Sequence, residues 1–149
     1  MPVNPELVGK TFPPTTPYLV GREKVREFAR AVCAEDPQHL DAAAAQSLGY
    51  TDVVAPPTFA IVIQDQTLQQ LLAEPGSGIE LHRLIHAEQR FAYTRPIVAG
   101  DELTATLTVS QVRPFGQGAM VTSEAAVTDA DGAHVVTMTS VLLVGEADE

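Results

Sequence analysis

Residues 59–73 read FAIVIQDQTLQQLLA. The first part, Phe59 to Ile63, is apolar without interruption, and a helix that is apolar all round must be buried on nearly all sides. Glu74-Pro75-Gly76-Ser77-Gly78 stops it. The remainder has the period of strands. Across 84–93, Ala87, Gln89, Phe91 and Tyr93 share a face. Across 102–113, Leu103, Ala105, Leu107 and Val109 point one way and Thr104, Thr106 and Thr108 the other. Two further strands, 119–128 and 134–144, flank Asp129-Ala130-Asp131-Gly132, a hairpin turn with its glycine late. Pro114 to Gly118 is the other turn. One long apolar helix in a small domain is covered only if the sheet wraps around it. The fold class is therefore α+β, an antiparallel sheet wrapped around a central helix, which is the hotdog geometry.

Working outward, residues 1–17 hold five of the eleven prolines and are expected to form an extended arm. A short strand at 18–20 and a helix over 22–33 follow, with Val25, Phe28, Ala29 and Val32 on one helix face. Arg22, Arg26 and Arg30 line another face, with Glu23 and Glu27 in reach of Arg26 and Arg30. Asp41 is a good N-cap for a short helix over 42–48, which Gly49 ends. The acidic tail 145–149 is expected to fray. Neither an internal repeat nor a low-complexity segment divides the chain, so 1–149 reads as one domain.

The 149 residues suffice for one real core, and 45% hydrophobic with 19% charged is a globular composition. The first ten residues lack the basic-then-apolar pattern of a signal peptide, and the apolar runs are too short to span a bilayer, so a cytoplasmic location is expected. The single Cys33 excludes an internal disulfide and a Cys-based zinc site. Nine basic against nineteen acidic residues give a net charge of −10, which disfavours nucleic-acid binding. A grip on an anionic carrier then needs a local basic patch. Phosphate-cradling glycine loops and nucleophile elbows are absent, and Ser123 and Ser140 have no base nearby in sequence.

The loop 34–40, AEDPQHL, places acidic residues, a turn proline and a histidine together, which are the usual parts of an acid/base site. It sits between YLVGREKVREFARAV (18–32) and LGYTDVVAPPTFA (48–60), and HAEQRFAYTRPIVAGDEL follows at 86–103. On these stretches the chain resembles the MaoC-like hotdog dehydratases and hydratases, and more closely the N-terminal-type subunit of actinobacterial (3R)-hydroxyacyl-ACP dehydratases. The catalytic loop of that family runs Asp-x-Asn-Pro-x-His. Here Pro37 and His39 match, Asp36 stands at the Asn position, and Ala34 replaces the Asp. The resemblance implies a pair of hotdog subunits in which one carries the complete loop and the other, of this type, helps hold the acyl chain.

Each candidate has two readings. His39, with Asp36, is either a retained catalytic imidazole or a loop histidine held by Asp36 or Asp41. Arg22, Arg26 and Arg30 form either a docking stripe for an acyl carrier protein or coenzyme A, or a solvated face paired with glutamates. His86, Glu88 and Arg90 alternate on one face, as a weak metal site or as residues pairing across a dimer edge. Phe59, Val62 and Ile63 either line an acyl tunnel or simply pack, and a backbone N–H near Thr58 can polarise a thioester carbonyl. Cys33 and Gly100-Asp101 look structural. The resemblance implies neither a metal nor a redox cofactor.

Together these give a substrate-holding, non-catalytic subunit of a (3R)-hydroxyacyl-thioester dehydratase in fatty-acid or related lipid elongation. Its partner is a second MaoC-type subunit supplying Asp and His. One alternative is a self-sufficient homodimeric hydratase using His39 and Asp36. Another is an acyl-thioester binding module without chemistry.

Overall fold

Five strands, Tyr18–Leu19 (β1), Leu84–Tyr93 (β2), Glu102–Phe115 (β3), Gly118–Thr128 (β4) and His134–Val144 (β5), form one antiparallel sheet in the order β1-β3-β4-β5-β2. The computed structural model describes residues 2–146. The outermost part of the expected frayed tail, 147–149, lies outside the described residues. Gly145 itself is held, its N–H donating to the Arg83 carbonyl at 2.8 Å.

The β alternation holds as expected on β3, where Leu103, Ala105, Leu107 and Val109 are all fully buried. They share a core with Val121, Ala125 and Val127 of β4 and Val136 and Met138 of β5. The hairpin turn after β4 closes through Gly132 N–H donating to Asp129 O at 3.0 Å, with Gly132 at φ 79°.

Among the described residues, three α-helices accompany the sheet: Arg22–Ala31 (α1), Ala42–Ser47 (α2) and Ile61–Ala73 (α3). α1 stops short of the expected Cys33. That residue sits in the left-handed region at φ 58°, and the Ala34 N–H returns to the Ala29 carbonyl at 2.8 Å. α3 begins later than the sequence period suggests. Pro56 and Pro57 hold the chain in a turn, with Phe59 N–H donating to Pro56 O at 2.9 Å, before the helix closes at Ile61. Nor is its first half buried all round. Ile63 and Leu71 are buried, but Gln64 and Thr67 share their side, while Ile61, Val62 and Leu68 are only half-buried. The Thr67 hydroxyl solves its burial by donating to the Gln64 carbonyl at 2.8 Å.

The proline-rich arm is part of the sheet's architecture. It exchanges hydrogen bonds with β3, Phe12 N–H to Leu107 O at 2.8 Å, Thr15 N–H to Ala105 O at 2.9 Å and Val109 N–H to Lys10 O at 3.1 Å. Leu7 and Phe12 are driven into the core. One sheet margin is thereby covered. At the other margin, β5 is the only strand beside β2 among the described residues.

β2 also carries a bulge. Pairing passes from His86↔Leu142 to Glu88↔Val141, so Ala87 is an extra residue. His86 therefore faces the same side as Gln89, opposite the buried Ser140. The expectation that His86 shares a face with Glu88 and Arg90 is corrected: one inserted residue turns it to the helix side.

If the arm is structural, Phe12→Ala should destabilise the fold by about 3–5 kcal/mol in urea unfolding, the usual cost of emptying a buried aromatic site. A change under about 1 kcal/mol would mean that the arm is only laid on the surface.

Candidate functional site

The loop 34–40 folds as its residues dictate. Pro37 sits at the start of a 3₁₀ turn, Pro37–His39, where its missing N–H costs nothing. The Pro37 carbonyl accepts from Leu40 and Asp41 N–H at 3.0 and 2.8 Å. The turn carries His39 inward, leaving it 8% exposed. Its Nδ1 lies 2.6 Å from the Val54 carbonyl, while Val54 N–H donates to Gln38 O at 2.9 Å. A carbonyl only accepts, so Nδ1 carries the proton, and in the neutral ring Nε2 is left as an acceptor.

Neither carboxylate proposed as the partner of His39 holds it. Asp41 caps α2, accepting from Ala43 N–H at 2.9 Å. Asp36 is exposed, and its backbone carbonyl, not its carboxylate, meets His39 through the N–H at 3.0 Å. Ala34, at the position where an acid is expected, offers only a methyl group.

His39 and Asp36 line a cleft of about 540 Å³ with Val54, Pro57, Tyr93 and Arg95. The Tyr93 hydroxyl donates to Pro57 O at 2.5 Å. Burial pushes its pKa up to about 12, against a smaller lowering by the Ala60 N–H, so Tyr93 stays a neutral donor. Arg95 forks onto Asp101 at 2.8 and 3.1 Å and reaches Asp129 at 3.2 Å. Asp101 also accepts from Val98 N–H at 2.9 Å. The Arg-Pro…Ala-Gly-Asp segment is thus a clamp that fixes one wall of the cleft.

The remaining expected site residues divide. Phe59 and Ile63 are fully buried core, with Phe59 packed edge-on to Phe28 at a centroid distance of 5.3 Å. Val62 is half-buried and Thr58 exposed, and neither borders the His39 cleft. Arg22 is held bidentately by Asp52 at 2.9 and 2.8 Å, an ion pair that also holds the Asp52 carboxyl below its usual pKa. Arg26 pairs with Glu23 at 2.7 Å as expected, but Glu27 bonds Lys24 at 3.3 Å rather than Arg30. Two of the three stripe arginines are therefore already neutralised. Glu88 is paired to Arg90 at 2.7 Å, on the face away from His86, so the two cannot converge on a metal.

The His86 surroundings were invisible in the sequence. Its Nε2 lies 2.9 Å from Gln89 Oε1 and 3.4 Å from Ser140 Oγ. The shorter contact commits Nε2–H to Gln89, so His86 is not a base for Ser140 and the pair is not an acyl-transfer dyad. His86 and Ser140 border a second cavity of about 150 Å³, between α3 and the β2–β5 margin. Only the bulge at Ala87, which leaves no mark in residue type, brings them together.

The orientation of His39 is directly testable. A long-range ¹H–¹⁵N spectrum of the neutral ring should show the Nδ1–H tautomer, unchanged in Asp36→Asn. An Nε2–H tautomer, or one that switches in the variant, would show that Asp36 rather than Val54 orients the ring.

Residues 6–138 match the family described as FAS1-like, dehydratase domain region. A UPF0336 protein of Clavibacter michiganensis is 62% identical over 144 residues, 97% of each chain. Among solved structures, a MaoC-like dehydratase superposes with a TM-score of 0.83 at 37% identity over 95% of this chain, which spans 43% of that longer protein. The HadBC (3R-hydroxyacyl-ACP dehydratase) complex of Mycobacterium tuberculosis gives 0.79 at 31% identity, covering 92% of this chain and 96% of the one matched. The five-stranded antiparallel sheet and its central helix agree with these likenesses, and the chain belongs to the FAS1-like dehydratase domain family, as a MaoC-like hotdog protein of the hydratase and dehydratase class.

Proposed function

We propose that this chain is the substrate-holding, non-catalytic subunit of a (3R)-hydroxyacyl-thioester dehydratase of fatty-acid or related lipid elongation. The observation that carries the proposal is at position 34. The loop keeps its proline and its buried histidine, but Ala34 takes the place of the acid and the His39 ring is tied to a backbone carbonyl. Dehydration needs a base for the Cα proton and an acid for the departing hydroxyl, so that water leaves as the double bond forms. One imidazole without a carboxylate supplies half of that pair. The partner's loop would supply both.

The assembly named for the similar HadBC structure supports such pairing, as does the bare margin of β2. An unpaired strand edge is a template for another strand, and Ile85 on β2 is 64% exposed beside it. In this reading the Thr58 amide would polarise the thioester carbonyl. The neighbouring amides are occupied: Phe59 by Pro56 O, Ile61 by Thr58 O, Val62 by Phe59 O, and Ala60 against Tyr93. Val62 would border the acyl chain, with Phe59 and Ile63 as the packed floor beneath it. Arg30, exposed at the end of α1, would be the part of the stripe left for an acyl carrier protein or coenzyme A. Among the described residues no helix is long and apolar enough to cross a membrane. In this reading the substrate would be met on its carrier in the cytoplasm.

A second reading, a self-sufficient homodimer, is favoured by the oriented, buried His39 in its own cleft. Hydration of crotonyl-coenzyme A separates the two. The chain alone should run at least about 10²-fold below the complex, since a positioned acid/base pair contributes roughly 10²–10⁴-fold. His39→Ala should not lower that residue of activity. Robust turnover of the chain alone, abolished in His39→Ala, would overturn the non-catalytic assignment.

A further inference from the structure

In the turn that leads into α3, every backbone N–H from Thr58 to Val62 is spoken for except one. Phe59 donates to Pro56 O at 2.9 Å, Ile61 to Thr58 O at 3.1 Å and Val62 to Phe59 O at 3.0 Å. Ala60 N–H meets the Tyr93 hydroxyl. Thr58 is exposed, and its N–H has no hydrogen-bond partner among the described residues.

That free donor is nevertheless fixed in direction. The Pro57 carbonyl and the Thr58 N–H belong to one planar peptide unit, and the carbonyl accepts the Tyr93 hydroxyl at 2.5 Å. Tyr93 Oη therefore grips the turn twice, donating to Pro57 O and accepting from Ala60 N–H. The grip comes from a rigid element, because Tyr93 ends β2 in register with Val136 of β5. It also persists at neutral pH, since burial pushes the phenol up to about 12 and keeps its proton in place.

The same bond acts on the strength of the donor. A carbonyl that accepts a hydrogen bond polarises its own amide, so the N–H of that unit donates more strongly. Among the described residues every peptide bond is trans, which turns the N–H away from the carbonyl and its tyrosine. Tyr93 and Pro57 line the His39 cleft, and Thr58 does not.

We infer that Tyr93 is a positioning residue for the thioester carbonyl: through the Pro57–Thr58 peptide its hydroxyl aims and strengthens the Thr58 N–H. The inference rests on the acyl-thioester reading above, in which Thr58 N–H meets that carbonyl and Tyr93 touches no substrate atom.

The test compares wild type with Tyr93→Phe, each in the complex with any subunit that co-purifies from the native host. Difference infrared spectroscopy of bound butyryl-coenzyme A, labelled with ¹³C at its carbonyl and unable to be hydrated, reads the polarisation directly. In the wild-type complex the carbonyl band should lie below its position in the free ligand, and in Tyr93→Phe it should move back toward that position. Hydration of crotonyl-coenzyme A should lose roughly tenfold in kcat with KM within about twofold, less than the roughly 10²–10³-fold lost when such a donor is removed outright. A band unmoved by Tyr93→Phe would overturn the inference, whatever happens to rate or stability, and would leave the hydroxyl a structural staple beside an intact thioester site. A wild-type complex that binds no thioester, or binds it with an unshifted carbonyl, would bring down the reading of Thr58 and this inference with it. Should Tyr93→Phe fail to assemble, site-specific replacement of Tyr93 by 3-fluorotyrosine keeps the hydroxyl and makes it a stronger donor. The band should then move further from the free position, and an unmoved band would again overturn the inference.

Discussion

The two margins of the sheet are treated differently, and most of the molecule follows from that. An exposed strand edge is a row of unmet backbone donors and acceptors. On the β3 side the chain meets them with its own arm, whose register is set by the Lys10–Val109, Phe12–Leu107 and Thr15–Ala105 bonds. On the β2 side the described residues offer nothing comparable. The bare strand there carries an exposed isoleucine, and the cavity that borders α3 opens beside it. A second hotdog subunit would complete the sheet at that margin, and the site is read as shared for the same reason.

The His39 cleft is built without an acid at position 34. Its architecture is intact: the proline-led turn, the buried ring, the Val54 stitch and the Arg95 clamp all remain. A backbone carbonyl can choose a tautomer, but it cannot give or take a proton. Such a loop is ordered because its hydrogen bonds are met within the chain, and under the proposed reading its chemistry belongs to another subunit.

The fold was legible in the sequence because it rests on period and turn chemistry. Leu103, Ala105, Leu107 and Val109 announce β3, and the Asp129–Gly132 turn announces the last hairpin. The start of α3 was less legible. An apolar run does not show where a Pro-Pro step lets a helix begin, nor that Gln64 and Thr67 would be buried beside Ile63. Of the site, Ala34 was readable as a departure from a loop pattern. The partner of His39 was not, because a backbone carbonyl has no signature in residue type. His86 was misplaced for a similar reason: strict alternation fails at a bulge, and nothing about Ala87 distinguishes a bulged residue from a paired one. Sequence reasoning sees side chains that make patterns. It misses those whose place is set by a single extra residue or by backbone groups.

The central claim is that β2 pairs with a different hotdog chain carrying the acid that Ala34 lacks. Native mass spectrometry of the protein purified from its own host tests this most directly. A one-to-one complex with a second hotdog chain whose loop holds both Asp and His is the expected result. A homodimer of this chain alone, or a monomer, would contradict it.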